Sequence, residues 1–248
     1  MIDKETLIAA AKINNLKPWQ QEKHYIQSLV LCSLSEEPVV FKGGTCLWFF
    51  YGLPRFSEDL DFTEDGKVSD NLPEKVSRDI ELFGVENNFK IITNDEKTLS
   101  FRISAKGPLN SSDFDLCPVY VEISRREKIK NKKIPFRLDI PAYQIPIKII
   151  SSMDLKEISG EKVRAILTRD KARDVYDLYY LIKKIQVKFD ESLVNEKLKF
   201  CRMKYSENEF LKAVKKKKEY FDKELKPIIF DEMPKFNDCY NLIKKWIQ

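Results

Sequence analysis

The sequence is poor in the residues on which much enzyme chemistry depends. A single histidine, His24, stands in 248 residues. A zinc site with two or more imidazoles is therefore excluded, and any histidine-based mechanism would rest on that one ring. It lies in WQQEKHYIQSLVL, which reads as a helix, and there a lone imidazole reads as structural. The five cysteines (Cys32, Cys46, Cys117, Cys201, Cys239) are odd in number, far apart and without a C-x-x-C pair. They read as reduced core thiols, not a disulfide framework or a zinc knuckle. Seven glycines and eleven prolines are few, so most of the chain is expected in regular elements. No run of eighteen apolar residues exists, which excludes a helical membrane span. The opening MIDKETLIAAAKINN has no signal-peptide pattern, so a cytoplasmic location is expected.

What is present fits an ordinary folded protein, with 43% hydrophobic and 33% charged residues. The length suits one large domain or two small ones. The net charge of +5 is uneven, because residues 199–248 carry 13 Lys+Arg against 8 Asp+Glu while the rest balances. A second basic excess lies in RREKIKNKKIPFR, residues 125–137. Segments of this kind are usually solvated faces, and they gain meaning only where a polyanion is implied on other grounds.

Periodicity predicts two helices over 3–35, broken near Asn14–Pro18, with Tyr25, Ile26, Leu29, Val30 and Leu34 on one face of the second. Pro38–Phe41 reads as a short buried strand and Cys46–Gly52 as a helix. Leu60-Asp61-Phe62 opens another strand, 71–88 looks helical, and strands follow near 89–93 and 98–104. Val119, Val121 and Ile123 alternate with Tyr120, Glu122 and Ser124, the pattern of a half-buried strand. Tyr143–Pro146 leads out of the sheet region, and from Asp154 onward helix dominates. The order of elements predicts an α/β or α+β domain over 1–150 and a helical domain over 151–248.

The densest chemistry lies in FKGGTCLWFFYGLPRFSEDLDF, residues 41–62. Gly43 and Gly44 after a buried strand permit a tight turn and leave amides at the start of the next helix, an arrangement that suits phosphate. Thr45 can add a hydroxyl, although a plain strand-to-helix turn explains the three residues equally well. If Asp59-Leu60-Asp61 is extended, both carboxylates point to one face, with Cα atoms roughly 7 Å apart from about 3.3 Å of rise per residue. They can then converge on one Mg²⁺ or on a metal pair. Phosphoryl transfer also wants a further carboxylate. Glu122 is the first candidate, because it faces away from the apolar side of its strand. Asp113 and Asp115 are rivals with the same spacing.

In the second half, Asp154 is a plausible N-cap for a helical stretch over 154–185. Asp174 falls inside the apolar arc of its helix and Asp177 flanks it. A carboxylate there is costly unless paired or working. Lys162, Arg169 and Arg173 are the available cations, and Arg173 with Asp177 has the four-residue spacing of a helix-surface pair. A buried ion-pair network and a catalytic acid both remain open. Gly160 places a helix boundary just before Lys162 in question.

Taken together, Gly43-Gly44-Thr45, then Tyr51-Gly52-Leu53, then Arg55-Phe56-Ser57-Glu58-Asp59-Leu60-Asp61 resembles the nucleotidyltransferase signature of the AbiEii/AbiGii toxin family, to which MenT-type toxins are related. Lys162-x-x-Ala165, Arg169 and Arg173-Asp174-x-x-Asp177 are similar to its second block. The resemblance implies a nucleotidyltransferase fold, a mixed sheet with flanking helices. It also implies a toxin that transfers a nucleotide from NTP to RNA, plausibly a tRNA 3′ end, and a cognate antitoxin. With the strand geometry above, the expected Mg²⁺ ligands are Asp59, Asp61 and Glu122. On the resemblance, Gly43, Gly44, Thr45, Arg55 and Ser57 bind nucleotide, Lys162 contacts its phosphates, and Asp177 or Asp174 completes the site. The alternatives are a small hydroxyl acceptor, or a non-catalytic NTP-binding module. The basic 125–137 segment and the Lys215–Lys218 run are where an RNA backbone is expected to lie.

Overall fold

A computed structural model describes residues 1–112 and 114–248, so Asp113 lies outside the described residues. The chain divides into two compact units. Unit 1 takes residues 1–50, 57–129 and 133–152, and unit 2 takes 51–56, 130–132 and 153–248.

Unit 1 is built on a seven-stranded mixed sheet. Its strands are β1 (Val39–Lys42), β2 (Leu60–Glu64), β3 (Asn87–Asn94), β4 (Thr98–Ala105), β5 (Cys117–Ser124), β6 (Ile134–Leu138) and β7 (Lys148–Ser152), in the spatial order β3-β4-β5-β2-β1-β7-β6. The central strands are short and buried: all four residues of β1 are inside, as are Leu60 and Phe62 of β2. β2 pairs antiparallel with β1 and parallel with β5. The expected alternation of β5 holds for Val119, Val121 and Ile123, but Ser124 is also buried at the strand's end. Two strands are additional to those expected. β6 lies at the end of the basic segment and β7 just after the stretch read as leading out of the sheet, and they pair antiparallel with each other.

The helices of unit 1 are α1 (Lys4–Ile13), α2 (Pro18–Leu34), α3 (Gly43–Tyr51, whose last residue falls in unit 2) and α4 (Leu72–Leu82). α3 begins directly at the glycines, earlier than the expected Cys46. Asp3 caps α1 by accepting from the Thr6 amide at 2.7 Å, the ordinary device for an orphan first-turn N–H. α2 buries the expected apolar face and, beyond it, a polar one that includes Gln21, Glu22, Lys23 and Gln27. Each such group has to find a partner, since an unmet buried polar group costs about 1–3 kcal/mol. Glu22 accepts from the Leu109 amide at 2.6 Å, and burial raises its pKa.

Unit 2 is helical: α5 (Leu155–Thr168), α6 (Ala172–Tyr180) with a π-helical turn at Leu181–Ile185, α7 (Glu191–Lys199), α8 (Glu207–Lys216), α9 (Lys218–Leu225) and α10 (Phe236–Trp246). Asp154 caps α5, accepting from Lys156 N at 3.0 Å and Glu157 N at 3.4 Å. Gly160 is not at a boundary. It is buried inside α5 and faces Lys197 and Leu193, at distances where a Cβ would make ordinary contacts. The excursion 51–56 is tied into this unit by an isolated bridge between Arg55 and Ile229. Phe56 N donates to Ile228 O at 2.7 Å, and Phe230 N to Pro54 O at 3.0 Å.

Candidate active site

The turn between β1 and α3 needs its glycine twice over. Gly43 has φ +76°, in the left-handed region, and a Cβ there would lie 2.5 Å from Oδ2 of Asp61. Any other side chain would meet both the backbone penalty and the carboxylate. The antiparallel register sets Lys42 opposite Asp61, so the Gly-Gly turn and the second aspartate meet at one end of β1 and β2. Asp59 and Asp61 are half-buried, while Leu60 and Phe62 are inside, the alternation expected of an extended segment. Asp61 enters no salt bridge among the described residues.

Thr45 and Ser57 hold this corner together. Thr45 is fully buried, its hydroxyl lies 2.8 Å from Ser57 Oγ, and it also donates to the backbone carbonyl of Asp59. That hydroxyl ties α3 to the loop carrying the acids. Two residues of α2 that the sequence gave no reason to single out fix the same loop. Gln27 Nε2 donates to the carbonyls of Ser57 at 3.1 Å and Glu58 at 2.8 Å. Lys23 Nζ lies 3.3 Å from Glu58. A glutamine in a helix reads as solvent-facing, and only the tertiary contact reveals its task.

Glu122 of β5 is the register partner of Asp61 across the parallel β2–β5 pair. Its side chain is exposed and lies 3.0 Å from Arg126. Among the described residues no three histidine, cysteine, aspartate or glutamate side chains form a ready-made metal cluster. The donor set at the turn nonetheless suits magnesium, which is usually bound by one or two carboxylates together with substrate phosphates. Asp115 of the rival pair accepts from Ser111 at 3.0 Å in its own loop.

Unit 2 gathers the second block into a buried charge network. Asp177, fully buried, receives a bidentate pair from Arg55, with Nε to Oδ1 at 2.6 Å and Nη2 to Oδ2 at 2.7 Å. Lys162 Nζ lies 2.6 Å from Asp177 and 3.0 Å from Asp174. Asp174 in turn takes Arg169 in a second bidentate pair, both bonds at 2.8 Å. This explains how a carboxylate sits in the apolar arc of α6. Burial alone would raise both aspartate pKa values, but Lys162 and Arg169 hold Asp174, and Arg55 and Lys162 hold Asp177, below the usual carboxylate range. The expected Arg173–Asp177 pair gives way to Arg55, 122 residues away, whose planar fork fits both oxygens at once.

The remaining candidates fall outside these two clusters. His24 stacks on Phe49 at 4.2 Å with Nδ1 2.7 Å from the Tyr143 hydroxyl, and burial pushes its pKa down to about 3. It is a neutral packing residue. All five cysteines are free thiols. The Lys215–Lys218 run is not an open strip: Lys216 and Lys217 share Asp170 at 2.8 and 2.9 Å, and Lys217 is buried. Much of the 125–137 segment is likewise paired, Arg126 with Glu122, Lys130 with Glu196 and Lys133 with Asp65.

Comparison with known proteins bears on the fold and the family. The fold is shared with JHP933 from Helicobacter pylori (22% identity, TM-score 0.64, covering 92% of this chain and 89% of that one). It is also shared with MenT4, a nucleotidyltransferase toxin from Mycobacterium tuberculosis H37Rv (19% identity, TM-score 0.65, covering 99% and 88%). No curated protein sequence matches the chain. Among the described residues no helix is long and apolar enough to cross a membrane. The profile of the nucleotidyl transferase AbiEii toxins of type IV toxin–antitoxin systems matches residues 27–242, from the middle of α2 to α10, and the chain belongs to that family of nucleotidyltransferase toxins.

Proposed function

We propose that this toxin is a magnesium-dependent enzyme of the cytoplasm that transfers a nucleotide from NTP to an RNA hydroxyl, with a tRNA 3′ end as the expected acceptor. The observation that carries the reading is Gly43. Its left-handed turn presses against the Asp61 carboxylate, so a phosphate-binding turn and an acid share one corner. In this reading the Gly43–Gly44 turn binds the triphosphate through backbone amides, and Asp59 and Asp61 hold magnesium. When bound, that ion would neutralise charge at the α-phosphate and on the departing pyrophosphate.

Thr45, Ser57 and Gln27 keep the aspartates in place. Glu122, released from Arg126, takes the proton of the attacking RNA hydroxyl. The oxygen–phosphorus bond forms at the α-phosphorus as the bond to pyrophosphate breaks. Within unit 2, the family resemblance gives Lys162 a role toward phosphate, with Arg55, Asp174 and Asp177 as the residues that position it. A cognate antitoxin is the partner that the family implies.

The test is incubation with magnesium, each labelled NTP and total tRNA. Labelled RNA from the wild type and none from Asp61→Asn is the expected result. No labelled RNA under any nucleotide removes the RNA acceptor.

A further inference from the structure

The two basic runs expected to follow a phosphate backbone are largely paired within the protein, but two cations on the sheet of unit 1 are not. β4 and β5 bury one face, with Phe101, Ile103, Val119 and Val121 inside, and leave Tyr120 40% exposed on the other. The antiparallel registers set Lys90, Arg102 and Tyr120 side by side across that open face, one from each of β3, β4 and β5. Two residues beyond Tyr120, Glu122 shares the face, and the parallel pairing sets Glu122 beside Asp61. A row of two cations and a ring therefore leads up to the candidate acids from the β5 side of β2, whereas the Gly43–Gly44 turn lies on the β1 side. Among the described residues neither Lys90 nor Arg102 enters a salt bridge, and Nε of Arg102 is buried without a hydrogen-bond partner. Glu122 does not neutralise them, since its own charge is met by Arg126 at 3.0 Å.

The geometry points to this face as the seat of the unpaired 3′ end of the RNA acceptor, with Tyr120 stacked on a base and Arg102 and Lys90 on backbone phosphates. The inference rests on the reading that RNA is the acceptor. In-line displacement places the attacking oxygen opposite the departing pyrophosphate. With the triphosphate on the turn at β1, the acceptor hydroxyl enters from β5, where Glu122 stands to take its proton. The rest of the strand then runs outward over β4 and β3. At about 4.8 Å per strand, Arg102 lies roughly 10 Å and Lys90 roughly 14 Å from β2, which suits a short unpaired segment. An open sheet face with an exposed ring stacks splayed bases, which a duplex does not present, and cations beside it track the backbone.

The experiment is fluorescence anisotropy of the full-length protein with a labelled RNA hairpin carrying a short single-stranded 3′ tail and with the same hairpin lacking it, without NTP or magnesium. The tailed hairpin should bind more tightly, with affinity falling as salt rises. Tyr120→Ala should weaken that binding about ten-fold, and Tyr120→Phe, which keeps the ring, should restore it. Lys90→Glu, at an exposed position on the edge strand where folding is not at stake, should weaken it and flatten the salt dependence. In nucleotide transfer, Tyr120→Ala and Lys90→Glu should raise KM for tRNA and leave KM for NTP unchanged. Equal binding of the two hairpins, unchanged affinity in either variant, or a rise confined to KM for NTP would overturn the proposal. Tail binding that the variants lose, in a wild type that transfers no nucleotide, keeps the face and removes the transfer reading. Transfer to tRNA with an unaltered KM for tRNA in both variants does the reverse.

Discussion

The two acidic clusters of this toxin use the same residue type for opposite purposes. In unit 2, Asp174 and Asp177 are fully buried, each held by two cations, one pair of contacts in each case bidentate. In unit 1, Asp61 is half-buried, faces a glycine turn and enters no salt bridge among the described residues. A buried carboxylate already neutralised by its own chain contributes to architecture. A carboxylate lacking a fixed cation keeps its charge available to a ligand. Sequence position does not separate the two cases, since both sit in short Asp-rich motifs. What separates them is whether the rest of the chain brings a cation to the oxygens.

That contrast sets the expected mutant behaviour. Asp177→Ala leaves Arg55 and Lys162 each without a buried partner and should lower unfolding free energy by about 3–5 kcal/mol, read by urea denaturation. Asp61→Asn should do the converse, cutting nucleotide transfer by about 10²–10³-fold with the urea midpoint unchanged. A stability loss in Asp61→Asn as large as that of Asp177→Ala would erase the distinction.

Gly43→Ala should affect both properties. Its left-handed backbone and the approach to Asp61 predict a loss of roughly 1–3 kcal/mol in stability together with reduced transfer. The last effect is on pH dependence. His24 has a pKa pushed down to about 3 in the folded state against 6.5 unfolded, so the unfolded chain takes up a proton that the folded one refuses. Its contribution is fully present above pH 6.5 and is lost as pH falls toward 3. His24→Phe should flatten the stability–pH curve across that window, measured by urea midpoints at several pH values.

Much of this was legible in advance because it is local. The strand-turn-helix at Gly43, the alternation of Leu60 and Phe62 around Asp61, and the Asp154 cap each follow from neighbours a few residues apart. β6 and β7 were not legible. The first is a short edge strand in a lysine-rich, proline-containing stretch, and the second begins two residues after Pro146. Gly160 was read as a helix breaker because propensity counts only the local cost. The helix continues through it because α5 is held by its packing against α7, on the side where Gly160 faces Lys197 and Leu193. The partner of Asp177 was missed for a related reason. Spacing rules see Arg173 four residues away, but only the fold brings Arg55.

The separation of Arg55 from Asp177 also carries a consequence for how the toxin is made. At a translation rate of about 5–20 residues per second, the guanidinium leaves the ribosome roughly ten seconds before its carboxylate is even synthesised. Throughout that interval residues 51–56 have no helical unit to join. A ribosome that stalls early, or a message cut short, therefore yields a product whose second unit cannot close, and the cell is exposed to an assembled toxin only after the chain is nearly finished.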